Sequence, residues 1–281
     1  MSVVKIHEQL ADLGHHNDDE INLLETAFLL AELQHIGIST DKYRQHIFAM
    51  EHSVGVRFKN LLNAGADDDG LTRLAALKHV MADEHGYNGD TETYDDIQNA
   101  DLFRVIDRRK GLPISLAVIA ITLGRAQGWI VDGINFPGHF LVRLTHHTTQ
   151  IIFDPFANFK IMQAHDLRAL AKQIMGEKAE LSSNFYDVAS SRLILLRLQN
   201  NIKARQIDSE DYSSALDTVI TMRLFAPNEY RLLFDEAVLR VKQGEAKRAI
   251  TLLQSYLLIA ERPQDINDAE QLLRSLRDTL N

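Results

Sequence analysis

The sequence predicts an α+β protein. A helical N-terminal region leads into a buried helix packed on an antiparallel sheet, and an all-α region follows. Three observations carry this. The segment Gly111 to Gly128 is apolar nearly all round, with Pro113 near its start and Gly128 at its end, as expected of a helix buried on most sides. Three strand-like runs come directly after it: Trp129–Phe136, His139–Thr145 and Gln150–Phe156. From about Ser190 the pattern is helical again, with similar residues recurring 34 positions apart. The expected domains are therefore 1–189 and 190–281.

The elements follow in order. Ile21–His35 places Leu23, Leu24, Ala27, Phe28, Leu30 and Ala31 on one apolar face. Asn17 and Glu20 have the spacing of a capping box, and Gly37 ends the helix. A second helix starts at Ser39 or Thr40 and runs through Tyr43, Ile47, Met50 and Val54 toward Leu62. A third covers Leu71 to His85 and stops at Gly86, a good residue just past a helix end. A shorter helix, Ile97–Arg108, follows the polar loop Asn88–Asp96. After the buried helix, the last two strand-like runs are joined by Thr-His-His-Thr-Thr, a hairpin tip that should leave His146 and His147 solvated. In the C-terminal region Ala215 matches Ala249, Leu216 matches Ile250 and Val219 matches Leu253, with Pro227 and Pro263 near the unit ends. A 34-residue period with small residues at helix crossings is the tetratricopeptide signature, here without the aromatic that usually opens each unit.

Composition narrows the function. The chain has 281 residues, 45% apolar and 25% charged, enough for a proper core. It has no cysteine. That excludes disulfides, zinc–thiolate sites, iron–sulfur clusters and a thiolate nucleophile. The first twenty residues carry no cationic-then-apolar leader pattern. The longest apolar-leaning run, Ile114–Leu123, contains Ser115 and Thr122 and is far too short to span a bilayer. A cytoplasmic location is expected. Residues 1–100 hold 7 Lys/Arg against 18 Asp/Glu, residues 101–189 hold 10 against 8, and the remainder is balanced. An acidic first third speaks against nucleic acid and anionic membrane as partners. There is no phosphate-binding glycine loop and no dinucleotide fingerprint. His15-His16 beside Asp18, and His79 with Asp83, lack a credible ligand set. No cofactor and no metal are expected.

Ser115, His139 and Asp154 form the candidate site. Ser115 sits at the start of the buried helix, where unpaired N–H groups and the dipole favour negative charge. His139 is expected to open a strand, and Asp154 to end its hairpin partner. An Asp there would fix the imidazole's tautomer, and the imidazole would polarise the hydroxyl. Asn135 is a candidate to orient His139 or bind a ligand. Arg109 and Arg143 are candidate binding residues, with ion pairing such as Arg108–Asp107 as the plainer role.

The order of helix-start nucleophile, strand His and next-strand Asp resembles the transglutaminase-like superfamily, whose members use Cys, His and Asp. More narrowly, three segments resemble the bacterial SirB-one family. They are Asp107-Arg108-Arg109-Lys110-Gly111-Leu112-Pro113-Ile114-Ser115-Leu116, Gly133-Ile134-Asn135-Phe136-Pro137-Gly138-His139-Phe140-Leu141-Val142-Arg143 and Phe153-Asp154-Pro155-Phe156. The resemblance implies a transglutaminase-like, papain-like core followed by a tetratricopeptide-like region. It puts Ser115 at the cysteine position, His139 at the histidine and Asp154 at the aspartate. Gly86-Tyr87-Asn88-Gly89 and Tyr94–Asn99 only approximate the family's upstream loop.

A Cys–His pair can rest as thiolate and imidazolium. A serine hydroxyl cannot, and needs concerted proton removal and an oxyanion hole. The expected function is therefore a non-catalytic interaction or regulatory protein with a protein or peptide partner. The alternative is a serine-based hydrolase or acyltransferase acting on an amide or ester through Ser115, His139 and Asp154.

Overall fold

The computed structural model describes residues 2–280. They form two compact units. One is built on Asn17–Leu198; the other joins Val3–His16 to the chain from Gln199 onward. The division differs from the expected one in two places. The N-terminal helix α1 (Val3–Leu13) groups with the C-terminal unit, and the junction falls at 198/199 rather than 189/190.

In the first unit, α2 (Leu23–Gln34) begins later than the sequence pattern suggests. Its cap is Asn22, whose side chain accepts the Glu25 N–H at 3.0 Å. Asn17 and Glu20 do bond, N–H to carboxylate at 2.8 Å, but they close a turn that precedes the helix. Next come α3 (Asp41–Asn63) and α4 (Gly70–Lys78), the latter capped by Asp69 on the Thr72 N–H at 2.8 Å. The third expected helix changes its winding halfway: His79–Glu84 is π-helical. The fourth is split, because Asp101 accepts the N–H groups of Phe103 and Arg104 and so starts α5 (Leu102–Arg108) afresh. Around it, β1 (Asn88–Gly89) and β2 (Lys110–Gly111) form a short parallel pair.

The centre of this unit is α6 (Pro113–Ala126). Eleven of its residues, Pro113 through Ile121 with Leu123 and Gly124, are buried. It packs against α2, α3, α4 and α5 and also against the sheet. The sheet contains β3 (Ile130–Ile134), β4 (Leu141–His146), β5 (Thr149–Asp154), β6 (Lys160–Ile161) and β7 (Val188–Ala189), in the order β6-β5-β4-β3-β7 and antiparallel throughout. Gly124 permits the close approach of α6 to β3: a Cβ there would lie 2.5 Å from Val131. Between β5 and β7 lies α7 (Ala164–Met175), whose Leu167 and Ala171 pack with Ile134, Phe136 and Leu141.

The chain continues through α8 (Ser191–Asp208), α9 (Tyr212–Phe225), α10 (Arg231–Lys242), α11 (Ala246–Leu257) and α12 (Pro263–Leu280). The 34-residue offset superposes α9 on α11 in sequence, and Ala215, Ala249, Val219 and Leu253 are all fully buried. Small residues at both repeats let neighbouring helices approach. Within the second unit α1 packs on α9, burying Ile6 and Leu10 completely. A repeat end left bare would expose its apolar face, and α1 covers that end.

Candidate functional site

His139 does not open a strand. It lies two residues before β4, in the connection from β3. Asp154 is the last residue of β5. The two side chains meet: His139 Nε2 and Asp154 Oδ2 are 2.8 Å apart, with side-chain exposures of 16% and 7%. The other carboxylate oxygen, Oδ1, accepts the Phe156 N–H at 2.9 Å. With both oxygens engaged, the carboxylate fixes the ring and leaves Nδ1 for a second partner.

Phe156 forms the floor beside this pair. Its ring stands edge-on to His139 at 6.3 Å and edge-on to Tyr94 at 5.8 Å. Gly89 donates its N–H to the Phe156 carbonyl at 3.2 Å. A Cβ at 89 would lie 2.5 Å from the Phe156 ring, so only glycine fits that contact. The loose upstream loop of the sequence thus touches the aromatic that supports the imidazole.

Ser115 is the third residue of α6 and is 0% exposed. Its hydroxyl donates to the Asn99 carbonyl at 2.7 Å. The same carbonyl accepts the Leu112 N–H at 3.0 Å. No hydrogen bond joins Ser115 to His139 among the described residues. The N–H groups of Ile114 and Ser115 lie in the first helical turn, which has no intrahelical acceptor for them. The hydroxyl proton itself is committed to backbone.

What holds Asn99 there is a buried polar cluster that sequence reading missed. Asn99 Nδ2 donates to the Thr93 carbonyl at 2.6 Å, and its Oδ1 accepts from Arg108 at 3.0 Å. Arg108 also donates to Asp90 at 2.9 Å. Asp90 is 1% exposed and accepts from the Thr93 hydroxyl at 2.7 Å and the Thr93 N–H at 2.9 Å. Those Thr93 bonds, followed by Arg108, hold its carboxyl well below the usual carboxylate range. Arg108 therefore pairs with Asp90 and not with Asp107, which bonds Lys42 and Tyr43. The signal in the sequence was an acidic residue directly after Asn88-Gly89, matched by an arginine three residues before Gly111.

The other candidates have structural partners. Asn135 Oδ1 accepts from Arg197 at 2.7 Å, and its N–H donates to the Asp187 carbonyl. Asn135 does not bond His139. Arg197 links them instead, since it also donates to the carbonyls of Phe136 (3.3 Å) and His139 (3.2 Å) and lies over the Phe140 ring. Nothing near His139 in the sequence announces Arg197. Arg109 ends α5 in the left-handed region, at φ 59°, and donates to Tyr87 Oη at 2.7 Å and to the Ile106 carbonyl. It lies beside His46, whose pKa is lowered to about 4 by burial and then by the charges of Arg109 and His85. Arg143 donates to the Tyr186 carbonyl at 3.2 Å, and its buried Nε has no partner. Neither Arg109 nor Arg143 bonds the His139–Asp154 pair. His146 is not solvated as expected: its side chain is 14% exposed and 3.8 Å from Asp68. Among the described residues no three His, Cys, Asp or Glu are placed to share a metal ion.

Residues 41–200 match the family model of the transglutaminase-like superfamily. The chain belongs to that superfamily. Residues 202–274 match a tetratricopeptide repeat model. Proteins named UPF0162 are similar to the chain: one from Xylella fastidiosa is 28% identical over 246 residues, covering 86% of this chain and 85% of its own. One from Vibrio cholerae is 31% identical over 162 residues, 57% of this chain and 60% of its own. The mouse F-box only protein 21 is 26% identical over 181 residues, 61% of this chain but 28% of that protein. No solved structure matches. No helix among the described residues is long and apolar enough to cross a membrane.

Proposed function

We propose that this chain is a non-catalytic interaction or regulatory protein of the bacterial SirB-one family, acting in the cytoplasm. Its transglutaminase-like core serves as a scaffold and its tetratricopeptide region holds a protein or peptide partner. It needs no cofactor and no metal, and neither nucleic acid nor membrane is its target. One observation carries the reading: Ser115 is fully buried and its hydroxyl hydrogen is directed at the Asn99 carbonyl. A serine nucleophile must instead give that proton to a base as it attacks. The repeat class supports the partner, because stacked helix pairs commonly form concave binding surfaces.

A second reading, a serine-based hydrolase or acyltransferase on an amide or ester, is favoured by the retained His139–Asp154 contact at 2.8 Å. A fluorophosphonate probe separates the two. The native protein and Ser115→Ala are expected to show the same absence of labelling at position 115. Labelling of the native protein that Ser115→Ala abolishes, with the fold intact by circular dichroism, would favour the hydrolase and sink the scaffold.

A further inference from the structure

A cavity of about 350 Å³ lies between α3 and the π-helical turn, lined by His52, Ser53, Arg57, Asn60, His79 and Glu84. That volume is at the lower end of small-ligand sites. His52 and Asn60 in this lining are exposed, and Ser53 and Arg57 are half-buried. Among the described residues, the side chains of His52, Ser53, Arg57 and Asn60 have no hydrogen-bond or ion-pair partner, and the Arg57 Nε is buried without one. Most buried guanidinium nitrogens are satisfied. Here one is left over in a third of the chain that holds 18 acidic residues against 7 basic ones. Among the described residues no carboxylate pairs with Arg57, and the one acid in the lining bonds elsewhere.

The donors are arranged along one helix. Ser53, Arg57 and Asn60 are spaced four and three residues apart, so they share a face of α3. His79 comes from the opposite wall. The one acid in the lining, Glu84, is held by His79, with Oε1 3.2 Å from Nε2. The π-helical winding of His79–Glu84 places both of these residues at the cavity, and such turns recur at functional sites.

We propose that this cavity is a binding site for a small oxyanion, a phosphate or carboxylate group, with Arg57 as its principal ligand. The guanidinium presents a planar fork to two anionic oxygens. Asn60 and Ser53 donate to the remaining oxygens, and His52 adds a donor at the rim, while both ring nitrogens of His79 face carboxylates, Nε2 that of Glu84 and Nδ1 that of Asp83. The site is separate from the His139–Asp154 pair and stands whether or not the scaffold reading does.

The test is titration of the full chain with inorganic phosphate and, separately, with acetate, at constant ionic strength set with chloride. Binding is followed by calorimetry and by backbone amide shifts. Saturable binding of at least one anion is expected, with shifts confined to α3 and residues 79–84. The stronger of the two identifies the ligand chemistry as phosphate or carboxylate. Arg57→Gln is expected to weaken it about tenfold or more, while Glu84→Gln, which removes the competing charge, tightens it. No saturable binding of either anion would overturn the proposal. So would binding that Arg57→Gln leaves unchanged in a folded variant, or shifts centred elsewhere. If Arg57→Gln fails to fold, Asn60→Ala and Glu84→Gln decide the matter by the same opposite changes.

Discussion

Arg108→Met is expected to destabilise the protein by about 3–5 kcal/mol, read as a lower denaturant midpoint with an unchanged slope. The reason is what it leaves behind. Asp90 is 1% exposed, and Arg108 is its only cationic partner among the described residues, at 2.9 Å. Removing one member of a buried pair strands the other charge away from water. Asn99 Oδ1 loses its donor in the same step. The effect has a pH signature. The folded-state pKa of Asp90 is depressed, so its contribution is present above the unfolded carboxylate value of about 4 and is lost as pH falls toward the folded value. In the native protein stability should therefore drop steeply below about pH 4, and in Arg108→Met that drop should be shallower. A variant within about 0.5 kcal/mol of native, the range of ordinary surface changes, would mean that the cluster does not hold the loop.

Ala249→Arg is expected to cost a similar amount, on the order of 3–5 kcal/mol. Ala249 is 0% exposed and packs in one cluster with Ala237, Leu253, Tyr256, Ala269, Leu273 and Leu276, contributed by α10, α11 and α12. There is no room for a longer side chain and no carboxylate in that cluster to meet a guanidinium. Hydrogen exchange should accelerate across α10 to α12, and capture of any partner held by the repeat should be lost. Lys247→Arg, two residues away and exposed, is the control and should change nothing.

These two variants also mark what could be read in the sequence. The repeat was legible because Ala215 and Ala249 recur at one spacing, and both prove fully buried. The buried helix was legible because its apolar residues cover every face, and the β4–β5 hairpin because two strand-like runs flank a short polar tip. Local chemistry misled where two signals competed. Asn17 and Glu20 do bond each other, but Asn22 is the helix cap. A continuous helical pattern over 71–85 gave no hint of the π-helical turn. The strands β6 and β7 have two residues each, too few for any periodicity. Long-range partners were illegible for a different reason. Asp90 and Arg108 are 18 residues apart, Arg197 reaches back 58 residues to His139, and α1 finds α9 across most of the chain. No pattern within a helix or strand encodes such pairings. For the site, the three residue types and their order were readable; that the Ser115 proton belongs to Asn99 was not.

That last point is the centre of the account, and the absence of cysteine makes it directly measurable. Ser115→Cys introduces a single thiol into a chain that has none. If position 115 is a closed, structural position, iodoacetamide at neutral pH should not modify the native variant over hours. One equivalent should react once guanidinium unfolds it. If instead the native thiol alkylates rapidly, and His139→Ala in the same background slows it to the rate of a free thiol, position 115 faces an activating imidazole and the scaffold account is contradicted.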